Sequence, residues 1–320
     1  MLHARVLDDK FASLYRAAKI YGGVFLSRGQ EALSVAVGLQ LRRGDIFAPL
    51  IRDTAGRLAF GEPVIDGIRT YLGSPKGPMR GRDGNIHRGY PTEGLLPMIS
   101  HLGAMISVVT GALMAKRFKG ENGVIGAACF GDGATSTGAC HEAINQAAIE
   151  KVPLLLIVAD NHYAYSTPTS RQFACNSLLE RATGYGVEGN AVDGTDLTAC
   201  LSVLRQAANN ARAGKGPQMV VAKLLRLCGH GEHDDANYVD PILREGLVGR
   251  DCLKVAEEHI LQAGWAERSD IDSWRNRFMQ ETEELVASVQ REGAPDAFGE
   301  EWTAIATGRL REVRGEKAQP

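Results

Sequence analysis

The sequence lacks closely spaced cysteines, long apolar runs and an excess of either charge sign. Six cysteines are spread over 320 residues with no two within four residues of each other, which excludes zinc ribbons and CxxC redox pairs. We therefore expect free thiols in a reducing compartment. The longest mostly apolar run, 152–159, is far shorter than the ~18–20 residues of a membrane helix, so no membrane span is predicted.

Basic and acidic residues are nearly balanced, at 36 and 38, and no long single-sign run occurs. This balance argues against nucleic acid or an anionic membrane surface as the main partner. The first ten residues have no apolar signal core and are acidic too early for a transit peptide, which predicts a cytoplasmic protein. Hydrophobic residues make up 44% of the chain, so a globular fold with a large core is expected.

Strand-like and helix-like segments alternate along most of the chain. This alternation predicts an α/β fold, a mainly parallel sheet with helices on both faces. We expect one domain over 1–290 with helical extensions at both ends, then an irregular tail over 291–320. The Gly- and Pro-rich stretch 73–98 is predicted to be a long functional loop. Strands are predicted over 124–130, 154–159, 187–192 and 219–227, and helices within 1–45 and over 100–119, 139–151, 196–213 and 251–291.

Two of the predicted strands end in residues suited to chemistry. The first is followed by Gly131-Asp132-Gly133-Ala134 and then by a helix. Glycines allow the backbone to approach a ligand, and a helix N-terminus offers free N–H groups to a diphosphate. Because Asp132 would repel a phosphate directly, it is best explained as the ligand of a bridging cation.

The second strand is followed by Asp160-Asn161-His162-Tyr163. The Asn161 side chain and the Tyr163 carbonyl offer hard oxygen ligands of the kind that Mg²⁺ takes alongside phosphate oxygens. Each motif alone is more typical of a turn or a cap than of a ligand site. Together they favour a metal–diphosphate site, because Asn161 lies 29 positions after Asp132, about one helix and one strand later.

The segments GDGATSTGACHEAINQAA and VPLLLIVADNHYAYSTPTS resemble the thiamine-diphosphate signature, which begins with GDG and closes with NN. From about residue 10 to residue 290 the chain resembles the alpha subunits of the decarboxylating dehydrogenase component of 2-oxo acid dehydrogenase complexes. Members of that family act on pyruvate, branched-chain 2-oxo acids or acetoin. The resemblance implies a thiamine-diphosphate-binding fold and an enzyme that decarboxylates its substrate and passes the acyl group to a lipoyl carrier.

The resemblance also implies which residues form the site. Asp132, Asn161 and the Tyr163 carbonyl are expected to bind Mg²⁺, and His230 is expected near the reacting carbon as the catalytic residue. Arg52 is expected to grip the diphosphate. The full set expected to bind the cofactor is Arg52, Ser100, Leu102, Gly131, Asp132, Gly133, Ala134, Asn161, Tyr163 and His230.

Partners follow from the same resemblance. A beta subunit is expected to supply the rest of the cofactor site, in an assembly of two alpha and two beta chains. A lipoyl or other acyl-carrier protein is expected to accept the product, and a small 2-oxo acid is the expected substrate. Neither nucleic acid nor a membrane is expected as a partner.

The chain departs from the family pattern at three positions. Ile51 replaces a tyrosine before Arg52, and Asp160 replaces the first asparagine of the NN pair. Gly231 follows His230 where eukaryotic relatives carry a serine that a kinase modifies, so we predict no such control here. These changes leave the substrate and the acyl acceptor open, as well as the roles of His101 and His233.

Other functions are compatible with parts of the pattern. A transketolase-like ketol or acyl transferase would use the same cofactor, and a non-catalytic subunit would have kept the fold alone. A dinucleotide-binding oxidoreductase is disfavoured, because no GxGxxG follows a predicted strand. The cluster of His230, His233, Asp234 and Asp235 allows a zinc site or a solvated loop besides the catalytic loop.

Overall fold

A five-stranded parallel sheet forms the centre of the computed structural model, which describes residues 1–85 and 87–296. The strand order is β1-β2-β3-β7-β6, and every pair in it is parallel. A two-stranded antiparallel hairpin, β4–β5, follows β3. The strands are β1 Ile46–Ala48, β2 Gly126–Gly131, β3 Leu154–Asp160, β4 Tyr163–Ala164, β5 Thr167–Pro168, β6 Glu188–Asp193 and β7 Gln218–Lys223.

Helices cover both faces of this sheet, as predicted. In β3 the side chains of Leu154, Leu156 and Val158 pack with helices α5 and α6, whereas Leu155 and Ile157 pack with α2 and α8 on the opposite face. A strand buried on both faces explains the unbroken apolar run of the sequence. The helices bounding the two cores are α2 Glu31–Gln40, α5 Ala104–Phe118, α6 Gly138–Ile149 and α8 Leu197–Arg212.

The helices near the two ends of the described chain pack against each other. Helix α1 and helix α11 share an apolar cluster that also includes α4. None of the described helices is long and apolar enough to cross a membrane. All six cysteines are free. The remaining helices are α1 Leu2–Arg16, α3 Thr54–Phe60, α4 Val64–Tyr71, α7 Leu179–Gly184, α9 Pro241–Glu245, α10 Cys252–Gln262 and α11 Arg268–Gln290.

Three details of the predicted elements are wrong. Residues 17–30 are not helical, because Gly29 has a φ of +95° and its backbone lies against the Leu225 carbonyl. Strand β7 ends at Lys223 rather than at residue 227, since the following residues turn to bond with the 24–30 segment instead. Several short elements were not predicted, namely the strands β1, β4 and β5 and the helices α3, α4, α7 and α9.

The loop predicted over 73–98 is confirmed, and its described residues contain a single 3₁₀ turn at Pro91–Glu93. A functional role for the loop stays a prediction. The division into a domain over 1–290 and a tail over 291–320 stays a prediction, because residues 297–320 lie outside the described part of the chain.

Candidate functional site

Four neighbouring strands direct the predicted site residues to one edge of the sheet. Arg52 follows β1, Asp132 follows β2 and Asn161 follows β3, while the chain beyond β7 leads to His230. In the register of β2 and β3, Gly131 is paired with Ala159, so Asp132 and Asn161 leave the sheet side by side. The carboxyl edge of a parallel sheet is where such folds bind ligands.

Three oxygen atoms converge where β2 and β3 end. The Asn161 Oδ1 position lies 2.9 Å from the Tyr163 carbonyl oxygen and 3.3 Å from Asp132 Oδ1. In an octahedral Mg²⁺ shell with bonds of about 2.1 Å, neighbouring ligand oxygens are about 3 Å apart. Rotated by 180°, the Asn161 amide would instead donate from Nδ2 to both oxygens. A cation therefore fits when the Asn161 side-chain oxygen faces the oxygens of Asp132 and Tyr163. When the amide is rotated, its Nδ2 hydrogen-bonds these two oxygens and no cation is needed.

Asp132 is almost completely buried, at 1% exposure. Burial raises its pKa to about 6, and the nearby Asp160 carboxylate raises it as well, against a hydrogen bond from Gln172 that lowers it. Asp160 is also buried, and its Oδ1 atom has no hydrogen-bond partner within the described residues. Two buried carboxylates at one strand edge create a negative site that a divalent cation would stabilise.

Arg52 is a buried cation held by neutral groups. Its guanidinium donates to the Leu26 carbonyl at 2.8 Å and to the His230 carbonyl. Burial, with repulsion from the nearby Arg226, lowers its pKa to about 10. No ion pair within residues 1–85 and 87–296 involves Arg52 or Arg226, although both are at most 5% exposed. Arg226 donates to Tyr238 Oη at 2.6 Å and to the carbonyls of Tyr165 and Cys228. Two buried guanidinium groups that bond only to neutral partners are suited to binding an anion such as a diphosphate.

His230 lies beside this pair of cations. Its ring packs on Phe25 and Tyr165, with ring centroids 5.4 and 4.5 Å away. Burial lowers its pKa to about 4, and the charges of Arg52 and Arg226 add to the effect, so the imidazole is neutral near pH 7. Its Nδ1 lies 3.4 Å from Arg52 Nη2. Because a guanidinium can only donate, Nδ1 acts as an acceptor and the ring proton is on Nε2.

A cavity of about 230 Å³ is lined by His230 and by several of the other predicted residues. Ser100 and Leu102 also line it, and both are exposed, so the cavity opens to the surface there. Most of the other lining is apolar, which suits the ring system of a cofactor rather than its charged end. The lining residues that bear on the predictions are Ile51, Ser100, His101, Leu102, Ala134 and His230.

The GDG turn approaches its surroundings closely. A Cβ at Gly133 would lie 2.5 Å from Ala164 Cβ in β4, so only glycine fits there. Residues Asp132–Ser136 form a 3₁₀ turn, and α6 begins at Gly138. The backbone N–H groups nearest to Asp132 therefore belong to the 3₁₀ turn and not to the first turn of α6.

Several residues near the site were missed by the sequence analysis. Phe25 and Gln30 lie on the segment that was predicted to be helical, and Gln30 Oε1 is 3.5 Å from Asn161 Nδ2. Gln172 donates to Asp132, and Arg226 lies near Arg52. No local spacing signals these contacts, since each joins segments that are far apart in sequence.

The zinc alternative finds no support. No three His, Cys, Asp or Glu side chains converge to hold a metal ion in the part of the chain that the structure describes. Asp234 instead accepts hydrogen bonds from Tyr238 Oη and from the backbone N–H groups of His230 and Ala236. Against the effect of burial, these bonds lower its pKa to about 2. Asp234 thus shapes the loop that carries His230.

Comparisons with known proteins identify the family of the chain. The chain is 32% identical to the acetoin:2,6-dichlorophenolindophenol oxidoreductase alpha subunit of Cupriavidus necator over 84% of this chain and 81% of that protein. It is 30% identical to the pyruvate dehydrogenase E1 component alpha subunit of Rhizobium meliloti over 92% and 85%, respectively. It is 36% identical to the 3-methyl-2-oxobutanoate dehydrogenase alpha subunit of Mycobacterium tuberculosis over 73% and 61%. The family model for the dehydrogenase E1 component matches residues 1–297, and the chain belongs to this family.

Proposed function

We propose that this chain is the alpha subunit of a thiamine-diphosphate-dependent 2-oxo acid or acetoin dehydrogenase that requires Mg²⁺. The observation that carries the proposal is the pairing of two features at one sheet edge. Three oxygens from Asp132, Asn161 and Tyr163 converge at cation spacing, and the buried Arg52 lacks a carboxylate partner within the described residues. A cation bound to a diphosphate would satisfy both.

The residues have distinct roles in this proposal. Asp132, Asn161 and the Tyr163 carbonyl hold Mg²⁺, and Arg52 binds the diphosphate. Gly131, Gly133 and Ala134 let the backbone approach the phosphate oxygens. Ser100 and Leu102 contact the aminopyrimidine ring from the open side of the cavity.

Thiamine diphosphate, when bound, supplies a carbon nucleophile and an electron sink for the loss of CO₂ from a 2-oxo acid. The apolar lining of the cavity, once a second chain covers its open side, would exclude water from that carbon. His230 is neutral near pH 7 with its ring proton on Nε2, so it can orient a substrate oxygen through Nε2–H. This role needs the ring position that Phe25 and Tyr165 fix.

The proposal includes a beta subunit and an acyl acceptor. The names of the relatives identify their substrates as pyruvate, 3-methyl-2-oxobutanoate or acetoin, so a small 2-oxo acid or acetoin is the proposed substrate class. The cavity is open beside Ser100 and Leu102, which supports completion of the site by a second chain. We propose two alpha and two beta chains, a lipoyl carrier as acceptor and a cytoplasmic location.

Calorimetric titration of thiamine diphosphate into this chain, co-purified with its beta subunit, tests the cofactor site. We expect tight binding that requires Mg²⁺ and is abolished by Asp132→Ala. The control is Asp9→Asn, which removes an exposed carboxylate that pairs with Arg28 and not with a proposed ligand of the cation. Absence of cofactor binding by the well-folded wild-type complex would contradict the proposal and favour a non-catalytic subunit.

A second assay tests the reaction. The complex is incubated with pyruvate, 3-methyl-2-oxobutanoate or acetoin and an artificial electron acceptor, and reduction of the acceptor is followed. We expect turnover of at least one of the three substrates, reduced at least a hundredfold by Asp132→Ala. A ketol transferase would not reduce the artificial electron acceptor with any of the three substrates.

A further inference from the structure

Gln172 contacts the buried carboxylate of Asp132 from outside both sequence motifs. Its Nε2 atom donates to Asp132 Oδ2 at 2.7 Å and to the Thr167 carbonyl at 2.9 Å. We propose that Gln172 is a positioning residue that sets the cation affinity of the site, an inference that rests on the proposed function. It acts through Asp132 and from the turn after β5.

The hydrogen bond from Gln172 gives the two carboxylate oxygens of Asp132 different roles. Oδ2 is occupied by Gln172, whereas Oδ1 faces the amide of Asn161 at 3.3 Å. Because the Gln172 amide is itself held by the Thr167 carbonyl, it cannot follow a rotation of the carboxylate without losing a second bond. Gln172 thus fixes Asp132 in the rotamer that points one oxygen at the cation.

The other end of the Gln172 amide is also informative. Oε1 is buried and has no hydrogen-bond partner within the described residues. It lies 3.8 Å from the position that a Cβ at Gly133 would take, so it faces the GDG turn. Oε1 is therefore an acceptor available to a donor that would enter with the cation, since Mg²⁺ usually keeps several water ligands. The two ends of the amide thus lie beside Asp132 and the GDG turn.

The effect of losing such an outer contact has a typical size. Groups that orient metal ligands change metal affinity by about 10–100-fold when they are removed. Without Gln172, and with the Asn161 oxygen turned toward the cation, the Asp132 carboxylate has no side-chain donor among the described residues, while the charge of Asp160 still repels it. The cation must then order a mobile ligand when it binds.

The test uses Gln172→Met, which keeps the side-chain length and removes the donor, together with Gln172→Ala. The matched control is Ser136→Ala, because Ser136 Oγ donates to the Gln172 carbonyl and tethers the same turn without contacting Asp132. Each variant is purified with the beta subunit, and its thermal unfolding is measured. Thiamine diphosphate binding is titrated by calorimetry over a series of Mg²⁺ concentrations, and Mn²⁺ binding is followed by electron paramagnetic resonance.

We expect both Gln172 variants to need about 10–100-fold more Mg²⁺ or Mn²⁺ for half-saturation, with the cofactor affinity at saturating cation changed less than threefold. Ser136→Ala should behave as the wild type. Unchanged cation dependence in Gln172→Met, or an equal loss in Ser136→Ala, would overturn the inference and leave the proposed function intact. Cation-independent binding by the wild type would overturn the proposed function and the inference together.

Discussion

A buried arginine without a counter-charge is costly, because burial removes water from a full positive charge. The Arg52 guanidinium donates to the carbonyls of Leu26 and His230, which replace only part of its lost hydration. An anion bound beside it would supply the missing counter-charge. We therefore expect Arg52 to contribute more to cofactor binding than to the stability of the free chain.

Replacing Arg52 by lysine tests this role. A lysine keeps the charge but cannot form the planar fork that reaches two carbonyls and a phosphate at once. We expect the affinity for thiamine diphosphate, measured by calorimetry on the complex, to fall by about 10–100-fold, equivalent to roughly 1.4–2.8 kcal/mol. Arg28→Lys, at a partly exposed ion pair with Asp9, is the matched control. An unchanged affinity in Arg52→Lys would contradict a bidentate contact between Arg52 and the diphosphate.

Asp8 gives a pH-dependent stability. It is buried in α1 and accepts hydrogen bonds from the Ser27 backbone N–H and Oγ, each at 2.6 Å. Burial raises its pKa to about 7 in the native state, whereas an unfolded aspartate titrates near 4. The native state therefore binds a proton that the unfolded state releases, and the free energy of unfolding falls as pH rises from about 4 to about 7.

We expect Asp8→Asn to remove this slope. The asparagine oxygen can still accept from Ser27, so the variant should keep the fold while the loss of stability between pH 5 and pH 8 becomes smaller, by up to about 2.7 kcal/mol. Thermal unfolding at a series of pH values measures the effect. Asp9→Asn changes the same charge at an exposed neighbour. Parallel pH profiles for the wild type and Asp8→Asn would refute the assignment.

The residues of the site differ in how far sequence could predict them. Asp132 and Asn161 stand directly after long apolar strands, and Gly133 is required by a close contact, so a pattern of residue types marks all three. Gln172 and Gln30 have no such mark, because a glutamine in a loop is ordinary on a protein surface. Only the three-dimensional approach of the segments shows that these amides are buried beside the site.

At the scale of elements, the segment 24–30 connects the site to the rest of the fold. The Val24 carbonyl accepts from Glu232 N–H, the Arg28 carbonyl accepts from Leu227 N–H, and the Leu26 carbonyl accepts from Arg52. The segment thus lies along the chain that leaves β7 and leads to His230. Its path depends on Gly29, whose φ of +95° and close contact with Leu225 exclude a side chain.

Gly29→Ala should displace this segment. A Cβ at residue 29 would lie 2.3 Å from the Leu225 carbonyl oxygen, so strain adds to steric overlap, and we expect a loss of stability on the order of 3 kcal/mol with weaker cofactor binding. Gly44→Ala is the matched control, because Gly44 has a φ of +94° and open space around its Cβ position. It should lose about 1 kcal/mol. Equal melting temperatures for the two variants would contradict the steric argument.

Element prediction succeeded where one signal was strong. The strands β2, β3 and β6 coincide with predicted segments of ordinary strand length, and α8 has an aspartate N-cap at Asp196. The three-residue strand β1 is too short to show a period, and its place in the sheet is fixed by pairing with β2. Residues 17–30 contain enough apolar residues to suggest a helix. Backbone hydrogen bonds to distant parts of the chain instead hold the segment in a non-helical path.

At the scale of the molecule, the cofactor site is enclosed on one side only. Arg52, Asp132 and Asn161 are buried by the chain itself, whereas Leu102 is 55% exposed at the mouth of the cavity. Helix α5 begins next to this mouth and presents Val108, which is 47% exposed, on its outer face. In the proposed site this chain supplies the diphosphate end, and we expect a second protein surface at the ring end.

This asymmetry predicts how the two chains share cofactor binding. We expect thiamine diphosphate to bind this chain alone at least tenfold more weakly than it binds the complex with the beta subunit, and Val108→Asp to weaken co-purification and binding together. Leu39→Asp is the matched control, since Leu39 is 57% exposed on α2, which covers the opposite face of the sheet. Calorimetry and size-exclusion chromatography measure the two effects. An aspartate buried without a partner in an apolar interface costs several kcal/mol, so Val108→Asp should disrupt an interface that includes α5. If Val108→Asp and Leu39→Asp both leave the complex intact, the beta subunit must cover the cavity from a direction that avoids α5.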